Sequence, residues 1–359
     1  MNADREYMQR ALDLAEKGRG RTSPNPMVGC VIVREDQVIG EGYHARAGEA
    51  HAEVNAINAA SDGIAGTTVY VTLEPCAHYG KTPPCSDLLI ERRPARVVVA
   101  MMDPNPLVSG KGVESLREAG IAVDVGLMET EARRLNEVFV KFITTGRPFV
   151  TAKCGMTLDG KIATRTGHSQ WITCEASRRM VHRMRNEVDA IMVGSRTVMF
   201  DDPSLTTRME GGEGHDPVRI ILDAEEYLDR NRRVFHLSSS APTWVAVTKE
   251  REYPFASEVV RVPAGAGGVS MSELMEELGR RGITSLLIEG GGATLASAFE
   301  AGIVDKICFF IAPKIVGGRD AITPVEGHGV ATMEESVELE RVNVSMVDRD
   351  ILVEAYVKK

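Results

Sequence analysis

The stretch His51-Ala52-Glu53 is followed by Pro75-Cys76 and, nine residues beyond that cysteine, by Cys85. Together these residues supply one imidazole, two thiolates and a carboxylate placed two positions from the imidazole. A catalytic zinc site takes three protein ligands of this kind and leaves its fourth position to water, whose pKa the metal lowers toward neutrality. We therefore expect His51, Cys76 and Cys85 to be zinc ligands and Glu53 to carry protons.

The same order of His-x-Glu and Pro-Cys is typical of zinc deaminases that act on nucleobases. Four such elements in one order seldom arise by chance, although a lone cysteine is more often a buried hydrophobic residue. In place of the usual Cys-x-x-Cys spacing, eight residues separate Cys76 from Cys85, so a loop must lie between the two ligands. That loop carries Lys81, which suits an anionic substrate, and His78, which is an alternative ligand.

Length and composition are those of a soluble globular protein with two domains. At 359 residues the chain is too long for one ordinary core. The formal net charge of −9 argues against a nucleic-acid-binding surface, which normally shows a basic patch. Six cysteines without the spacing of a disulfide framework indicate a reducing compartment. The sequence shows neither an apolar signal core nor a membrane-spanning stretch, so we expect a cytoplasmic protein without nucleic-acid or membrane partners.

Strands and helices alternate along the first part of the chain, which predicts an α/β layered domain. The predicted helices are Asp4–Lys17, Ala50–Ala60, Gly110–Ala119 and Glu129–Phe142, and the predicted strands are Val28–Arg34, Val38–Tyr43, Thr67–Leu73, Arg96–Met102 and Ile121–Val125. The segment Thr144–Pro148 is the predicted boundary, which gives a first domain of residues 1–145 and a second of residues 146–359.

A loop with two prolines around Asn25 precedes the first predicted strand, and His44 follows the second. The prolines favour an extended loop that presents the Asn25 amide, which can pair with the donor–acceptor edge of a ring. An ordinary turn asparagine is the common alternative.

The strongest feature of the second part is Ser285–Leu295, where an apolar strand leads through three glycines into a helix that Gly302 ends. Glycines at this position let backbone N–H groups approach a phosphate at the helix N-terminus, where the helix dipole favours negative charge. The spacing differs from the Gly-x-Gly-x-x-Gly of dinucleotide-binding folds because its sixth position is Leu295, and a purely structural turn is the alternative.

The second part also contains the predicted strands Phe149–Lys153 and Ala190–Gly194, with the predicted helix Glu175–Asn186 between them. This helix carries four arginines, at positions 178, 179, 183 and 185. Charge runs on helices are usually solvated faces, and we expect this of most of the four.

Several motifs of the first part resemble the deaminase half of the RibD family of bifunctional riboflavin-biosynthesis enzymes. They are Ser23-Pro24-Asn25-Pro26-Met27-Val28-Gly29, Gly42-Tyr43-His44, His51-Ala52-Glu53 and Leu73-Glu74-Pro75-Cys76 with Cys85. That family deaminates a diaminopyrimidinone ribosyl phosphate and then reduces its ribosyl chain to a ribityl chain. The resemblance implies a cytidine-deaminase-like three-layer α/β/α domain in which Asn25 and His44 hold the pyrimidine and Lys81 meets the phosphate.

Motifs of the second part resemble the reductase half of the same family, which implies a dihydrofolate-reductase-like α/β domain that uses NADPH. They include Leu158-Asp159-Gly160 after Lys153, Ser169–Thr173, Val193–Thr197, Asp201-Asp202-Pro203 and Glu289-Gly290-Gly291. The implied NADPH contacts are Gly155 (where alanine is expected), Trp171, Thr197, Asp201, Asp223, Gly291, Gly292, Ala293, Thr294, Leu295, Ala296 and Ser297. The implied substrate contacts are Ser169, Arg185, Leu205, Arg208 and Glu289, of which the two arginines suit a phosphate.

The sequence thus predicts a zinc- and NADPH-dependent deaminase and reductase in one chain, which the resemblance implies to be a homo-oligomer. Retention of only one activity is an alternative, and so is deamination of another nucleobase. An aromatic content of 5% argues against a nucleic-acid-editing enzyme. A non-catalytic zinc module is disfavoured because structural zinc sites have four protein ligands. No residue of the second part stands out as a proton donor.

Overall fold

The structure is a computed structural model that describes residues 2–77, 83–105, 109–212, 214–225 and 227–359. The chain divides into two compact units, Met1–Gly146 and Arg147–Lys359. Within the described ranges, no helix combines the length and the apolar character that a membrane crossing requires.

The first unit is built around a five-stranded sheet. Its elements in chain order are α1 (Asn2–Glu16), β1 (Gly29–Arg34), β2 (Gln37–Tyr43), α2 (Ala52–Ala59), β3 (Thr68–Val71), α3 (Cys85–Arg92), β4 (Arg96–Val99), α4 (Lys111–Glu118), β5 (Ala122–Val125), α5 (Glu129–Leu135) and α6 (Glu137–Thr145). The strand order is β2-β1-β3-β4-β5. Strand β1 is antiparallel to β2 and β3, whereas β4 is parallel to both β3 and β5.

Alternate residues of the central strands face two separate apolar layers. Cys30 and Ile32 of β1 pack with buried residues of α2, α3 and α4. Val31 and Val33 of the same strand pack with buried residues of α1 and α5. Because successive side chains of a strand point to opposite faces, this period of two buries both faces of the sheet under helices. The predicted three-layer α/β/α architecture is therefore confirmed.

The predicted helix Glu129–Phe142 is wrong in one respect, because two helices, α5 and α6, meet at Asn136. Asn136 is buried, and its amide donates to the Met27 carbonyl at 2.9 Å and accepts from the Met27 N–H at 2.8 Å. Its backbone lies outside the helical region, with φ −102° and ψ 24°. The side chain thus satisfies both backbone polar groups of a distant residue and ties the loop around Asn25 to the start of α6.

The second unit is built around a nine-stranded sheet. Its elements in chain order are β6 (Phe149–Thr157), α7 (Glu175–Glu187), β7 (Ala190–Gly194), α8 (Ser195–Asp201), β8 (Val218–Leu222), β9 (Thr243–Val247), β10 (Glu258–Arg261), β11 (Ala264–Gly265), β12 (Gly268–Val269), α9 (Met271–Arg280), β13 (Ser285–Gly290), α10 (Gly292–Glu300), β14 (Lys306–Ala312), β15 (Leu339–Val347) and β16 (Asp350–Val357). The order is β10-β9-β8-β7-β13-β6-β14-β16-β15, and the short pair β11-β12 lies apart. The first seven strands in this order are parallel, and β16 is antiparallel to both its neighbours.

Helices cover both faces of this sheet as well. One apolar cluster joins the central strands to α9 and α10. On the opposite side, Ile191, Val193 and Ile221 pack with Val198 of α8. Strand β6 extends beyond the predicted end at Lys153 because it pairs with β14 as far as Thr157. This α/β domain confirms the predicted fold class of the second half.

The carboxylate of Glu74 organises the chain directly after β3. It is buried and, among the described residues, accepts from four backbone N–H groups, those of Asp103 at 3.1 Å, Gly110 at 3.0 Å, Gly112 at 2.9 Å and Val113 at 3.3 Å. A side chain at Gly112 would collide with the carbonyl oxygen of Pro75. The first turn of α4 therefore packs directly on the residues that precede Cys76.

We expect Glu74→Gln to lower the free energy of unfolding by about 2–3 kcal/mol, because an amide turns its own N–H₂ group toward buried N–H donors. Zinc affinity should fall as well, since Cys76 follows two residues later. Urea denaturation and competition with a chelator measure the two effects. Glu118→Gln, on an exposed residue at the end of α4, is the matched control. Equal stability and equal zinc retention in the two variants would contradict this role of Glu74.

Candidate functional sites

The first site brings together the three predicted zinc ligands. The Nδ1 atom of His51 lies 3.6 Å from Cys76 Sγ and 3.3 Å from Cys85 Sγ, and the three ligand atoms all lie within 4.8 Å of one another. Tetrahedral zinc with ordinary Zn–N and Zn–S bond lengths separates nitrogen and sulfur ligands by about 3.6 Å. The donor set and its spacing therefore fit Zn²⁺ with one position left for water.

Local structure explains how these ligands come together. His51 is the residue that precedes α2, Cys85 is the first residue of α3, and Cys76 follows the end of β3. The Cys85 N–H donates to Cys76 Sγ at 3.3 Å, and the Ser86 N–H donates to the Cys76 carbonyl at 3.1 Å. The thiol of Cys85 and the imidazole of His51 lower the pKa of Cys76. Cys76 is thus prepared to bind metal as a thiolate.

Glu53 lies in the first turn of α2 and is buried. Burial, with a smaller contribution from Cys76, raises the pKa of Glu53 to about 7. A carboxyl group with a pKa near the working pH is suited to take up and release a proton.

Asn25 and His44 are joined by a hydrogen bond beside the zinc ligands. Asn25 Nδ2 lies 3.2 Å from His44 Nε2, and His44 Nδ1 lies 3.1 Å from the Ala50 carbonyl oxygen. A carbonyl only accepts, so Nδ1 carries the proton and Nε2 accepts from the Asn25 amide. Burial lowers the pKa of His44, which favours this neutral form. The His44 ring meets the His51 ring edge-on, with centroids 5.5 Å apart.

Two residues of the loop between Cys76 and Cys85 lie outside the described residues. They are Lys81, the predicted phosphate contact, and His78, the alternative ligand. Both assignments stay predictions.

The second site is a cavity of about 1510 Å³ in the second unit. Its volume exceeds that of a typical single-ligand pocket, about 300–1,000 Å³, and suits a dinucleotide together with a substrate. Of the predicted residues, it is lined by Gly155, Ser169, Trp171, Arg185, Thr197, Asp201, Leu205, Arg208, Glu289, Gly291, Gly292, Ala293, Thr294, Leu295 and Ser297.

Asp223 and Ala296 are not part of this lining. The Asp223 carboxylate is buried and accepts from the Tyr227 N–H at 2.9 Å, the Leu228 N–H at 3.2 Å and the Tyr253 hydroxyl at 2.8 Å. These hydrogen bonds hold the segment that follows β8 in place. Ala224, in that segment, does line the cavity. The structure thus gives the Asp223 side chain a supporting position and no direct contact with the cavity.

The glycine turn forms part of the cavity wall where β13 leads into α10. Gly291 has a φ of 78°, which favours glycine, and no side chain caps the N-terminus of α10. The position that a Gly291 Cβ would take lies 3.1 Å from Thr197 Oγ1 and 3.5 Å from Thr294 Oγ1. Two hydroxyl groups and the uncapped helix N-terminus can therefore receive a phosphate or a ribose. These residues fit the phosphate-bearing part of NADPH.

A buried ion cluster lies on another part of the wall. Arg185 donates from Nε to Glu289 Oε1 at 2.5 Å and from Nη2 to Oε2 at 2.8 Å. Lys153 Nζ lies 3.6 Å from the same Oε2. Arg185 also donates from Nη1 to the Thr206 carbonyl at 2.9 Å. Although burial opposes ionisation, Arg185 and Lys153 lower the pKa of Glu289 to about 2. Arg185 thus uses all three of its nitrogens within the protein.

Arg208 differs from Arg185 in that it has no hydrogen bond or ion pair within the described part of the chain. It is exposed and lines the same cavity. His182 lines the cavity as well, and burial together with Arg185 and Arg208 lowers its pKa. Among the described residues, no group bonds to the buried Nδ1 of His182. Arg208 is therefore a cation free to meet an anionic ligand.

From the sequence, Lys153 and Glu74 are recognised only as members of motifs, without a role in a site, and Asn136 is not singled out at all. A lysine inside the otherwise uncharged strand β6 was a signal for Lys153, since lysine is seldom buried without a partner. A glutamate immediately before Pro75-Cys76 was a weaker signal for Glu74. Nothing in the local sequence marks Asn136, whose partner is 109 positions away.

Comparison with known families agrees with the division of the chain. Residues 1–101 match the family model described as the cytidine and deoxycytidylate deaminase zinc-binding region. Residues 148–353 match the model described as the RibD C-terminal domain. The zinc ligands lie within the first match and the cavity residues within the second.

Similarity to individual proteins extends over nearly the whole chain. The riboflavin biosynthesis protein RibD of Aquifex aeolicus is 46% identical over 98% of this chain and 97% of its own length, and that of Actinobacillus pleuropneumoniae is 42% identical over 98% and 94%. A crystal structure of a diaminohydroxyphosphoribosylaminopyrimidine deaminase and phosphoribosylaminouracil reductase from Thermotoga maritima superposes with a TM-score of 0.90, at 38% identity over 99% of each chain. Acinetobacter baumannii RibD gives a TM-score of 0.90 at 36% identity over 100% of this chain and 99% of that one. The chain therefore belongs to the RibD family of riboflavin biosynthesis proteins.

Proposed function

We propose that this chain deaminates a diaminopyrimidinone ribosyl phosphate in its first unit and reduces the ribosyl chain of the product in its second unit. The observation that carries the first activity is the convergence of His51, Cys76 and Cys85 beside the buried Glu53. The Thermotoga maritima relative, which covers 99% of the chain, is named for both steps, and the Aquifex aeolicus relative is named for riboflavin biosynthesis. We also propose a cytoplasmic location, in keeping with six cysteines that are all free.

In the first unit, His51, Cys76 and Cys85 would hold zinc, which supplies Lewis acidity and an acidified water when it is bound. Glu53 would take the proton from that water and deliver it to the departing ammonia. Its burial keeps bulk water from competing for the proton. Asn25 and His44 would orient the pyrimidine, because their hydrogen bond fixes which polar atoms remain available.

Glu53→Gln should lower ammonia release by about a hundredfold or more, since it removes the proton carrier and keeps the shape of the side chain. Given the deaminated intermediate, the same variant should still oxidise NADPH at the rate of the unmodified enzyme. A two-channel assay of ammonia and NADPH measures both reactions, with the exposed Glu114→Gln as the control that keeps both. Ammonia release without oxidation of NADPH or NADH in the unmodified enzyme would contradict the assignment of the second unit. The absence of both signals in zinc-replete protein would contradict the whole proposal.

In the second unit, the cavity would hold NADPH and the phosphorylated pyrimidine side by side, and NADPH supplies the hydride. The glycine turn with Thr197 and Thr294 suits the phosphate-bearing part of the cofactor. The two arginines that the sequence treats alike have different tasks. Arg208 would bind the substrate phosphate, whereas Arg185 would hold Glu289 in place for contact with the substrate.

Arg208→Met should raise the KM for the phosphorylated substrate of the reductase about ten- to a hundredfold, because one charge-assisted contact to phosphate is lost. The variant and the unmodified enzyme should differ little on the dephosphorylated substrate. Arg185→Met should instead lower the stability by about 3–5 kcal/mol, because it leaves the buried Glu289 with one cation fewer. Steady-state kinetics on both substrates and urea denaturation separate these outcomes. An equal effect of Arg208→Met on both substrates would show that Arg208 does not bind the phosphate.

We further propose that the protein is a homo-oligomer that uses the outer strand β15. This strand lies at the edge of the nine-stranded sheet, and its residues Val342, Val344 and Met346 are 57%, 62% and 62% exposed. The three occupy every second position of β15, so their side chains point to the same side of the strand. An exposed apolar row on an edge strand promotes non-specific aggregation unless another chain covers it.

Val344→Lys should shift the protein toward the monomer in analytical ultracentrifugation, because burial of an unpaired ammonium opposes association. Ser345→Lys places the same charge on the other side of β15 and is the matched control. Identical sedimentation of the two variants would exclude this face as the interface.

A further inference from the structure

Trp171 is an exposed aromatic residue in the wall of the second cavity. The residue is 63% exposed, although tryptophan usually buries most of its surface. The guanidinium carbon of Arg178 lies 4.6 Å from the centroid of the indole ring. One face of the ring is therefore occupied by a cation, and the exposed surface is available to a planar ligand.

Arg178 also holds the backbone that follows the tryptophan. Its Nη1 donates to the Thr173 carbonyl at 2.6 Å, and Lys314 Nζ donates to the Trp171 carbonyl at 2.6 Å. Within the described part of the chain, Arg178 forms no ion pair with a carboxylate. Its contacts are thus directed to the ring and backbone of one short segment, which distinguishes it from the solvated arginines expected on this helix.

The helix that carries Arg178 is itself firmly placed. Asp350 is fully buried and accepts from the Cys174 N–H at 2.7 Å and the Ser177 hydroxyl at 2.6 Å at the start of α7. Val181, one turn further along, packs against Phe310. Arg178 therefore projects from a rigid element onto a loop residue, which is the arrangement that limits the motion of a ligand-binding side chain.

We propose that Arg178 is a positioning residue of the reductase site, which holds the indole of Trp171 in the orientation that stacks on NADPH. This inference rests on the proposed place of Trp171 in the NADPH site. A guanidinium over an indole face is a favourable cation–π contact, and the bond to Thr173 adds a charge-assisted hydrogen bond. The loop then meets the cofactor with its aromatic ring already oriented, so less ordering is required on binding.

The test compares Arg178→Met with Arg179→Met. Arg179 is the exposed neighbour, which pairs with Glu175 at 2.9 Å and Glu210 at 3.5 Å and is absent from the cavity wall. We expect Arg178→Met to raise the KM for NADPH about five- to tenfold with a much smaller change in kcat, and Arg179→Met to leave both unchanged. Arg178→Lys keeps a cation near the ring and should give an intermediate KM. Ammonia release in the first unit of the same chain reports the enzyme concentration, and urea denaturation of each variant reports whether the second unit is folded.

A double-mutant cycle shows whether Arg178 acts through the ring. In a Trp171→Leu background, Arg178→Met should raise the KM for NADPH no further, because the ring that it positions is gone. An additive effect would overturn the proposal. A rise in the KM for the ribosyl substrate, with the KM for NADPH unchanged, would overturn it too, since Arg178 would then act on the substrate directly.

Fluorescence separates failure of this proposal from failure of the site assignment. The chain has two tryptophans, so Trp244→Phe leaves Trp171 as the only one, and excitation above the tyrosine absorption band selects its emission. NADPH should quench this emission. In Arg178→Met, the NADPH concentration that gives half-maximal quenching should rise about five- to tenfold, as the KM does. Quenching at an unchanged NADPH concentration in Arg178→Met would overturn only the positioning role. The absence of quenching in an enzyme that still oxidises NADPH would overturn the place of Trp171, and the proposal with it.

Discussion

The buried carboxylate of Glu74 is the interaction on which the geometry of the zinc site depends. It meets no cation among its described contacts, and four backbone N–H groups of the chain around the start of α4 satisfy it. Peptide dipoles of this kind can stabilise a buried charge without a counterion when several of them converge. Because Pro75 and Cys76 follow directly, the first turn of α4 determines where the first thiolate lies. The Cys85 N–H then donates a hydrogen bond to Cys76 Sγ and so holds this sulfur in place.

The second unit also has a buried glutamate near the carboxyl end of a parallel strand, but it is stabilised differently. Arg185 donates hydrogen bonds to both carboxylate oxygens of Glu289, and the ammonium of Lys153 is a second cation beside them. Ligands of α/β sheets bind at the carboxyl ends of the strands, so such residues lie next to the site in both units. Since Arg185 is committed to Glu289 and Thr206, the cavity needs another cation for an anionic substrate. Arg208 is the cation that we propose for this role, because no carboxylate in the described chain pairs with it and it lines the cavity.

The sequence predicts chemistry well where the residues that share a task are close together. His51 with Glu53, and Pro75 with Cys76, are local motifs, and the alternation of strands and helices reveals the layered fold. The supporting residues escape prediction because their partners are distant. Glu74 bonds to residues 29 to 39 positions away, and Asn136 to Met27 over 109 positions. For the same reason a helix pattern around residue 136 looks continuous, and the charge run on α7 does not separate Arg178, which faces a tryptophan, from its exposed neighbour Arg179.

The hydrogen bonds beside the zinc ligands also limit what the first site can recognise. The Ala50 carbonyl requires a proton on His44 Nδ1, so His44 Nε2 must accept from the Asn25 amide nitrogen. This leaves Oδ1 of Asn25 as an acceptor, and the tie between Asn136 and Met27 keeps the loop in place. In the proposed contact between Asn25 and the ring, a pyrimidine edge with an N–H group would donate to that oxygen, whereas an edge with only a lone pair would place two acceptors opposite each other. Burying an acceptor without a donor costs about 1–3 kcal/mol, which is enough to select one ring edge over another. The recognition of the ring that we propose for Asn25 thus depends on the Ala50 carbonyl, which sets the tautomer of His44.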